Sequence, residues 1–105
     1  MSELSIDEQN EIDLAIGSCV LREMYEEDSS AELTIRIDSE GINVTLISET
    51  QPVIFPEDDL LQAIGRLASV HENAQTSLTD AVYRYQKNPD GRWKMEASFS
   101  YDRPL

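Results

Sequence analysis

"ELTIRIDSEGINVTLIS", residues 32–48, is the stretch whose reading decides the fold. Leu33, Ile35 and Ile37 alternate with Thr34, Arg36 and Asp38, and after Gly41 the same alternation resumes with Ile42, Val44 and Leu46 against Asn43 and Thr45. A period of two is that of a strand with one apolar and one polar face. "DSEG" between the runs supplies the residues of a tight turn, with Gly41 free to take a positive φ. The stretch therefore reads as a β-hairpin. Ile47 breaks the alternation and is expected to reach the other face.

On its N-terminal side the period changes. Ile12, Ile16, Cys19, Val20 and Met24 recur at offsets of three and four, the stripe of an amphipathic helix spanning about residues 7–25. Ser5 stands three residues before Glu8, a capping-box spacing. Gly17 weakens the helix and suggests close packing against a neighbour. "YEEDSS" ends it, because acids beside a helix C-terminus oppose the dipole.

On the C-terminal side, Pro52 and Pro56 bracket Val53, Ile54 and Phe55, a run long enough only for an edge strand. Pro56 fits the opening of a second helix, with Glu57, Asp58 and Asp59 in a first turn where the dipole favours acids. Leu60, Leu61, Ile64, Leu67, Ala68 and His71 lie along one side of it, and "HENAQTS" ends it. A second hairpin follows, residues 78–86 and 93–101, turning at "NPDG". Trp93, Met95, Ala97, Phe99 and Tyr101 share one parity, which Ala81, Tyr83 and Tyr85 match opposite. The aromatic face is expected to pack inward on the helices, leaving Lys94, Glu96 and Ser98 wet. The whole reads α-β-β-(β)-α-β-β: one acidic α+β domain over residues 1–105, an antiparallel sheet of two hairpins, four or five strands, packed by two helices.

The chain has 105 residues, 40% of them apolar, and a formal net charge of −13. Patterning along most of its length excludes a disordered acidic tail. The charge is lopsided: residues 1–60 carry 16 acids against Arg22 and Arg36, whereas residues 61–105 carry five acids against six bases. Such a field repels nucleic acid and anionic membrane, attracts basic partners and speeds their encounter. Solubility alone is the plainer reading of the same charge.

A single cysteine, Cys19, excludes an internal disulfide. "MSELSIDEQN" has neither the basic nor the apolar region of a signal peptide, and no apolar run approaches a membrane span, so a cytoplasmic protein is expected. His71 is the only histidine. A Cys19–His71 nucleophile pair is formally available, but Cys19 lies in the apolar stripe of the first helix with nothing to activate it. "EEDSSAE" and "PEDD" lack the pattern of a calcium loop, and neither turn has the glycines of a phosphate loop. No catalytic residue, metal or cofactor is expected. The aromatics of the last hairpin could stack bases, but such platforms need basic surroundings.

Two acidic clusters stand out as partner-binding candidates: Glu23, Glu26, Glu27 and Asp28 at the end of the first helix, and Glu57, Asp58 and Asp59 opening the second. The first is the stronger, because its acids lie where the dipole disfavours them and local stability does not explain them.

The C-terminal third, "LASVHENAQTSLTDAVYRYQKNPDGRWKMEASFSYD", resembles the end of the YezG-like immunity proteins. The matching residues are Ser77 and Leu78, Asp90 and Gly91, Trp93 and Lys94, and Phe99, Tyr101 and Asp102. The resemblance implies a cytoplasmic immunity protein that silences a toxin, commonly a nuclease, by occlusion. An acidic inhibitor suits the basic surface on which a nuclease holds its substrate. An acidic nucleic-acid mimic and an adaptor or chaperone for secreted effectors share these electrostatics, and stand as the alternatives.

Overall fold

The structure, a computed structural model, describes residues 5–102. Helix α1 spans Ile6–Arg22. Ser5 caps it, its Oγ accepting the Glu8 N–H at 2.9 Å. The helix stops three residues short of the end expected at residue 25. In another turn the Tyr25 N–H would bond the Leu21 carbonyl; it instead bonds the carboxylate of Asp28 at 2.8 Å, and the chain leaves the helix axis.

Strands β1 (Ser30–Asp38) and β2 (Gly41–Ser48) form the expected hairpin around a two-residue loop, with Asp38 opposite Gly41 and Leu33 opposite Leu46. Gly41 has φ 138°, a conformation that side chains rarely adopt. The Asp38 carboxylate accepts the Glu40 N–H at 2.8 Å and closes the turn. The fifth strand expected at residues 53–55 reduces to a single bridge, Ile54 to Leu46 on the outer edge of β2. Proline on either side removes the donors that would extend it.

Helix α2 spans Asp58–Asn73, with Glu57 rather than Pro56 at its boundary. Strands β3 (Leu78–Lys87) and β4 (Trp93–Tyr101) close the chain. Their connection is a turn with Pro89 and Asp90 at its corners, tied by the Gly91 N–H to the Asn88 carbonyl at 2.9 Å, after which Gly91 takes φ 89°. The sheet order is β2-β1-β3-β4, all antiparallel, so this is an α+β fold with four strands and two helices.

The core lies between the two helices and one face of the central strands. Leu33 and Ile35 of β1 and Ala81, Tyr83 and Tyr85 of β3 meet Ile12, Ile16 and Val20 of α1 and Leu60, Ile64 and Leu67 of α2. The opposite sheet face is polar, with Arg84 paired to Glu32 at 3.1 Å and Arg36 to Asp80 at 3.7 Å. Ile47, as its parity requires, is exposed. Gly17 lies against the ring of Tyr85, but a Cβ there would meet it at 3.7 Å, an ordinary contact, so the approach does not demand glycine.

The aromatic face of β4 departs from expectation. Trp93, Phe99 and Tyr101 share parity with the core face, opposite Lys87, Ala81 and Leu78, but Trp93 and Phe99 are only partly buried and Tyr101 is exposed. The reason is position: β4 is an edge strand, and the two helices cover mainly the strands inside it. Among the described residues no helix is long and apolar enough to cross a membrane.

Ile16→Ala should therefore destabilise the fold by about 2–5 kcal/mol, the cost of emptying a fully buried site. Trp93→Ala should cost less than Ile16→Ala despite removing more atoms, because its site is open to water. Urea unfolding of both variants measures the order; the reverse ranking would mean that the core extends under β4.

Candidate partner-binding surface

The α1–β1 connection, residues 23–29, and the β2–α2 connection, residues 49–57, meet at one end of the molecule. Asp28 joins them. Its side chain is buried, and its two oxygens accept from Tyr25 N–H, Ser48 Oγ, Thr50 N–H, Thr50 Oγ1 and Gln51 Nε2 at 2.6–2.9 Å. Gln51 also donates to the Glu23 carbonyl at 3.0 Å, so one amide ties both connections. Burial by itself would raise the Asp28 pKa. The Thr50 hydroxyl, the Tyr25 and Thr50 N–H groups and the Ser48 hydroxyl outweigh it and hold the carboxyl far below the usual range.

Asp28 was expected among the partner-facing acids, and the structure places it elsewhere: it has no accessible surface, and its acceptor capacity is taken up inside the loop. Glu26, Glu27, Glu57, Asp58 and Asp59 are exposed, and Glu23, the C-terminal cap of α1, is half-buried. The fold brings the two sequence clusters together, because Arg22 at the end of α1 pairs with Asp59 at the start of α2. That hydrogen bond holds Asp59 below the ordinary carboxylate range, and it raises Arg22. Lys87 reaches the Glu26 carbonyl at 3.5 Å and lies 5.9 Å over the Trp93 ring, on the rim of this end.

Sequence reasoning missed the apolar part of the surface. Phe55 is 84% exposed, Val53 65% and Tyr25 59%, all on the two loops that carry the acids. The signal was present in "VIF": once Ile54 turns inward to bridge Leu46, alternation sends Val53 and Phe55 outward. Phe55 takes no part in the buried core.

Cys19 and His71 are not brought together. His71 is buried, with Nε2 bonded to Gln9 Oε1 and Nδ1 to Thr76 Oγ1, each at 2.8 Å. Gln9 donates in turn to Asp13 at 2.7 Å, which also accepts the Tyr83 hydroxyl at 2.7 Å. Cys19 lies ten residues beyond Gln9 on the same helix, about 15 Å along its axis. Its thiol pKa is raised, by burial first and then by Asp59, the opposite of activation. The neutral Nε2–H tautomer of His71 satisfies the whole chain, and burial lowers its pKa. This polar chain joins α1, α2 and β3 as a structural tie.

Asp28→Ala should leave several loop donors without a partner and cost about 3 kcal/mol. The sign of the pH dependence follows from the depressed folded pKa. Stability from Asp28 is complete above the unfolded carboxyl's ordinary range and is lost progressively as pH falls below it. Asp28→Asn should lower stability at neutral pH and flatten that acid limb, as read by urea unfolding between pH 7 and pH 2. A variant with the wild-type acid slope would remove Asp28 as the origin of the limb. In comparisons with known proteins, no family model matches the sequence and no curated protein matches it.

Proposed function

We propose that this protein is a binding protein that captures a basic protein domain on its acidic end and silences it by occlusion, in the manner of a cytoplasmic immunity protein against a nuclease toxin. The observation that carries the reading is Phe55, almost fully exposed with Val53 and Tyr25 on loops that also bear Glu26, Glu27, Glu57, Asp58 and Asp59. The acids supply long-range attraction, which speeds encounter and weakens in salt. The aromatics supply the short-range contact area that slows dissociation. The loops are held in place by Asp28, so the patch is formed before the partner arrives, and little ordering entropy opposes binding. The C-terminal resemblance to YezG-like immunity proteins supplies the toxin class; charge and exposed aromatics support the binding mode.

The test is capture from host extract at low ionic strength, followed by association kinetics with the captured protein at two salt concentrations. Glu26→Lys/Glu27→Lys and Asp58→Lys/Asp59→Lys should slow association by about tenfold at low salt and flatten its salt dependence. Phe55→Ala should leave the association rate near wild type and weaken binding by about 2 kcal/mol through faster dissociation. Unchanged rates for both charge pairs would mean that the acids serve solubility alone. Capture of a nucleic-acid-binding protein that is not a toxin would favour the mimic reading.

A further inference from the structure

Strand β4 is an edge of the sheet, and the two edges are not alike. The β2 edge is partly closed by the Ile54 bridge to Leu46 and by Pro52 and Pro56 beside it. Among the described residues the β4 edge has no such bridge or proline: the strand is nine residues long and has no bulge in its own run from Trp93 to Lys94, Met95 and onward through Phe99. Natural edges of this length are normally blunted by proline, bulges or charges, and the charges of β4, Lys94 and Glu96, stand on its wet face.

The backbone parity of that edge can be fixed. The Asn88 N–H bonds the Arg92 carbonyl at 2.7 Å, and the Asp102 N–H bonds the Ser77 carbonyl at 2.8 Å. In an antiparallel ladder these bonds alternate, so Lys94, Glu96 and Ser98 direct their N–H and C=O groups to β3. Met95, Ala97 and Phe99 direct theirs outward. The side chains of those same residues stand on the helix-side face. There Met95 (38% exposed) and Trp93 line a shallow, mainly apolar groove whose other wall is α1, with Leu14 (75% exposed) and Leu21 beside Asn10, Asp13 and Ser18. Tyr85 forms the floor, and its buried hydroxyl has no hydrogen-bond partner among the described residues.

We propose that β4 pairs antiparallel with β4 of a second copy of this chain, about a twofold axis at Ala97, joining two four-stranded sheets into one of eight. The strand's own sequence favours a second copy over a foreign segment. With Ala97 opposite Ala97, Met95 faces Phe99 of the other copy and Trp93 faces Tyr101, sulfur–aromatic and aromatic cross-strand pairs on the helix-side face. On the wet face Lys94 falls opposite Ser100 and Glu96 opposite Ser98, so no like charges are directly opposed; the diagonals set Lys94 toward Asp102 and the two Glu96 side chains toward each other in solvent. Charge allows the approach as well. Residues 78–102 carry four acids and four bases, so the chain's negative excess lies outside this hairpin.

Sedimentation of the wild-type protein across a concentration series should give twice the mass of the chain at the upper end. Amide hydrogen exchange should then slow with concentration at Met95, Ala97 and Phe99, whereas Lys94, Glu96 and Ser98 stay protected throughout. Ala97→Pro removes an outward N–H and no bond to β3, and Met95→Lys places a charge inside the proposed seam. Each should give a monomer with unchanged far-ultraviolet circular dichroism. A wild-type monomer at all concentrations overturns the proposal, and so does a dimer whose Met95, Ala97 and Phe99 amides exchange at the dilute rate. A dimer that persists in both variants overturns it as well. If the proline variant fails to fold, the lysine variant and the exchange pattern decide.

Discussion

The carboxylate of Asp28 is the constraint on which the loop end of this molecule depends. It stops α1 by taking the Tyr25 N–H, and it anchors the β2–α2 connection through Thr50, Ser48 and Gln51. A free carboxylate costs heavily when removed from water, and one with five donors around it does not. Its position fixes where α1 ends, and with it where Tyr25, Glu26 and Glu27 are displayed. Through Gln51 it also positions the start of the segment that carries Val53 and Phe55. The patch and its scaffold are thus coupled by one buried charge.

The helices impose a second constraint. Both lie on one sheet face, and the apolar stripe of each is narrow: Ile12, Ile16 and Val20 on α1, Leu60, Ile64 and Leu67 on α2. Two such stripes cover the width of β1 and β3 and little beyond. The polar chain from Thr76 through His71, Gln9 and Asp13 to Tyr83 fixes their spacing, since each member has its partner on a different element or turn. A buried network of this kind specifies one arrangement, because any slip leaves a donor or acceptor unsatisfied. The open face of the sheet needs no cover: it carries cross-strand ion pairs in solvent, each of small net effect.

Much of this was legible in the sequence, for physical reasons that differ by element. The hairpins were readable because alternation, Gly41 and "NPDG" are local signals that the tertiary structure had no cause to override. The cap at Ser5 was readable for the same reason. The early end of α1 was not, since the competing acceptor, Asp28, gains its worth from Ser48, Thr50 and Gln51, some 20 residues away. Read alone, Asp28 was one more acid in "YEEDSS". The fate of the β4 aromatics was equally hidden: parity gives the face, but strand order decides burial, and no residue of β4 states that it is an edge. Of the candidate site, the exposed acids were visible by composition, while the convergence of the two clusters through Arg22 and Asp59 required the helices to run side by side.

The uneven charge ties the two proposed surfaces to each other. The exposed acids of the loop end sit beside the start of β4, as the contact of Lys87 with Glu26 shows. In an antiparallel β4 pair, Trp93 of one copy lies beside Tyr101 of the other, so the two acidic ends point away from each other. They are then separated by at least the length of the nine-residue strand, roughly 27 Å along its direction. That exceeds the screening length of about 8 Å at physiological salt, so repulsion between these two loop ends would not oppose the proposed pairing. A parallel pairing would instead bring the acidic ends side by side. In the proposed antiparallel pair each acidic loop end would thus remain open to the basic partner proposed for it.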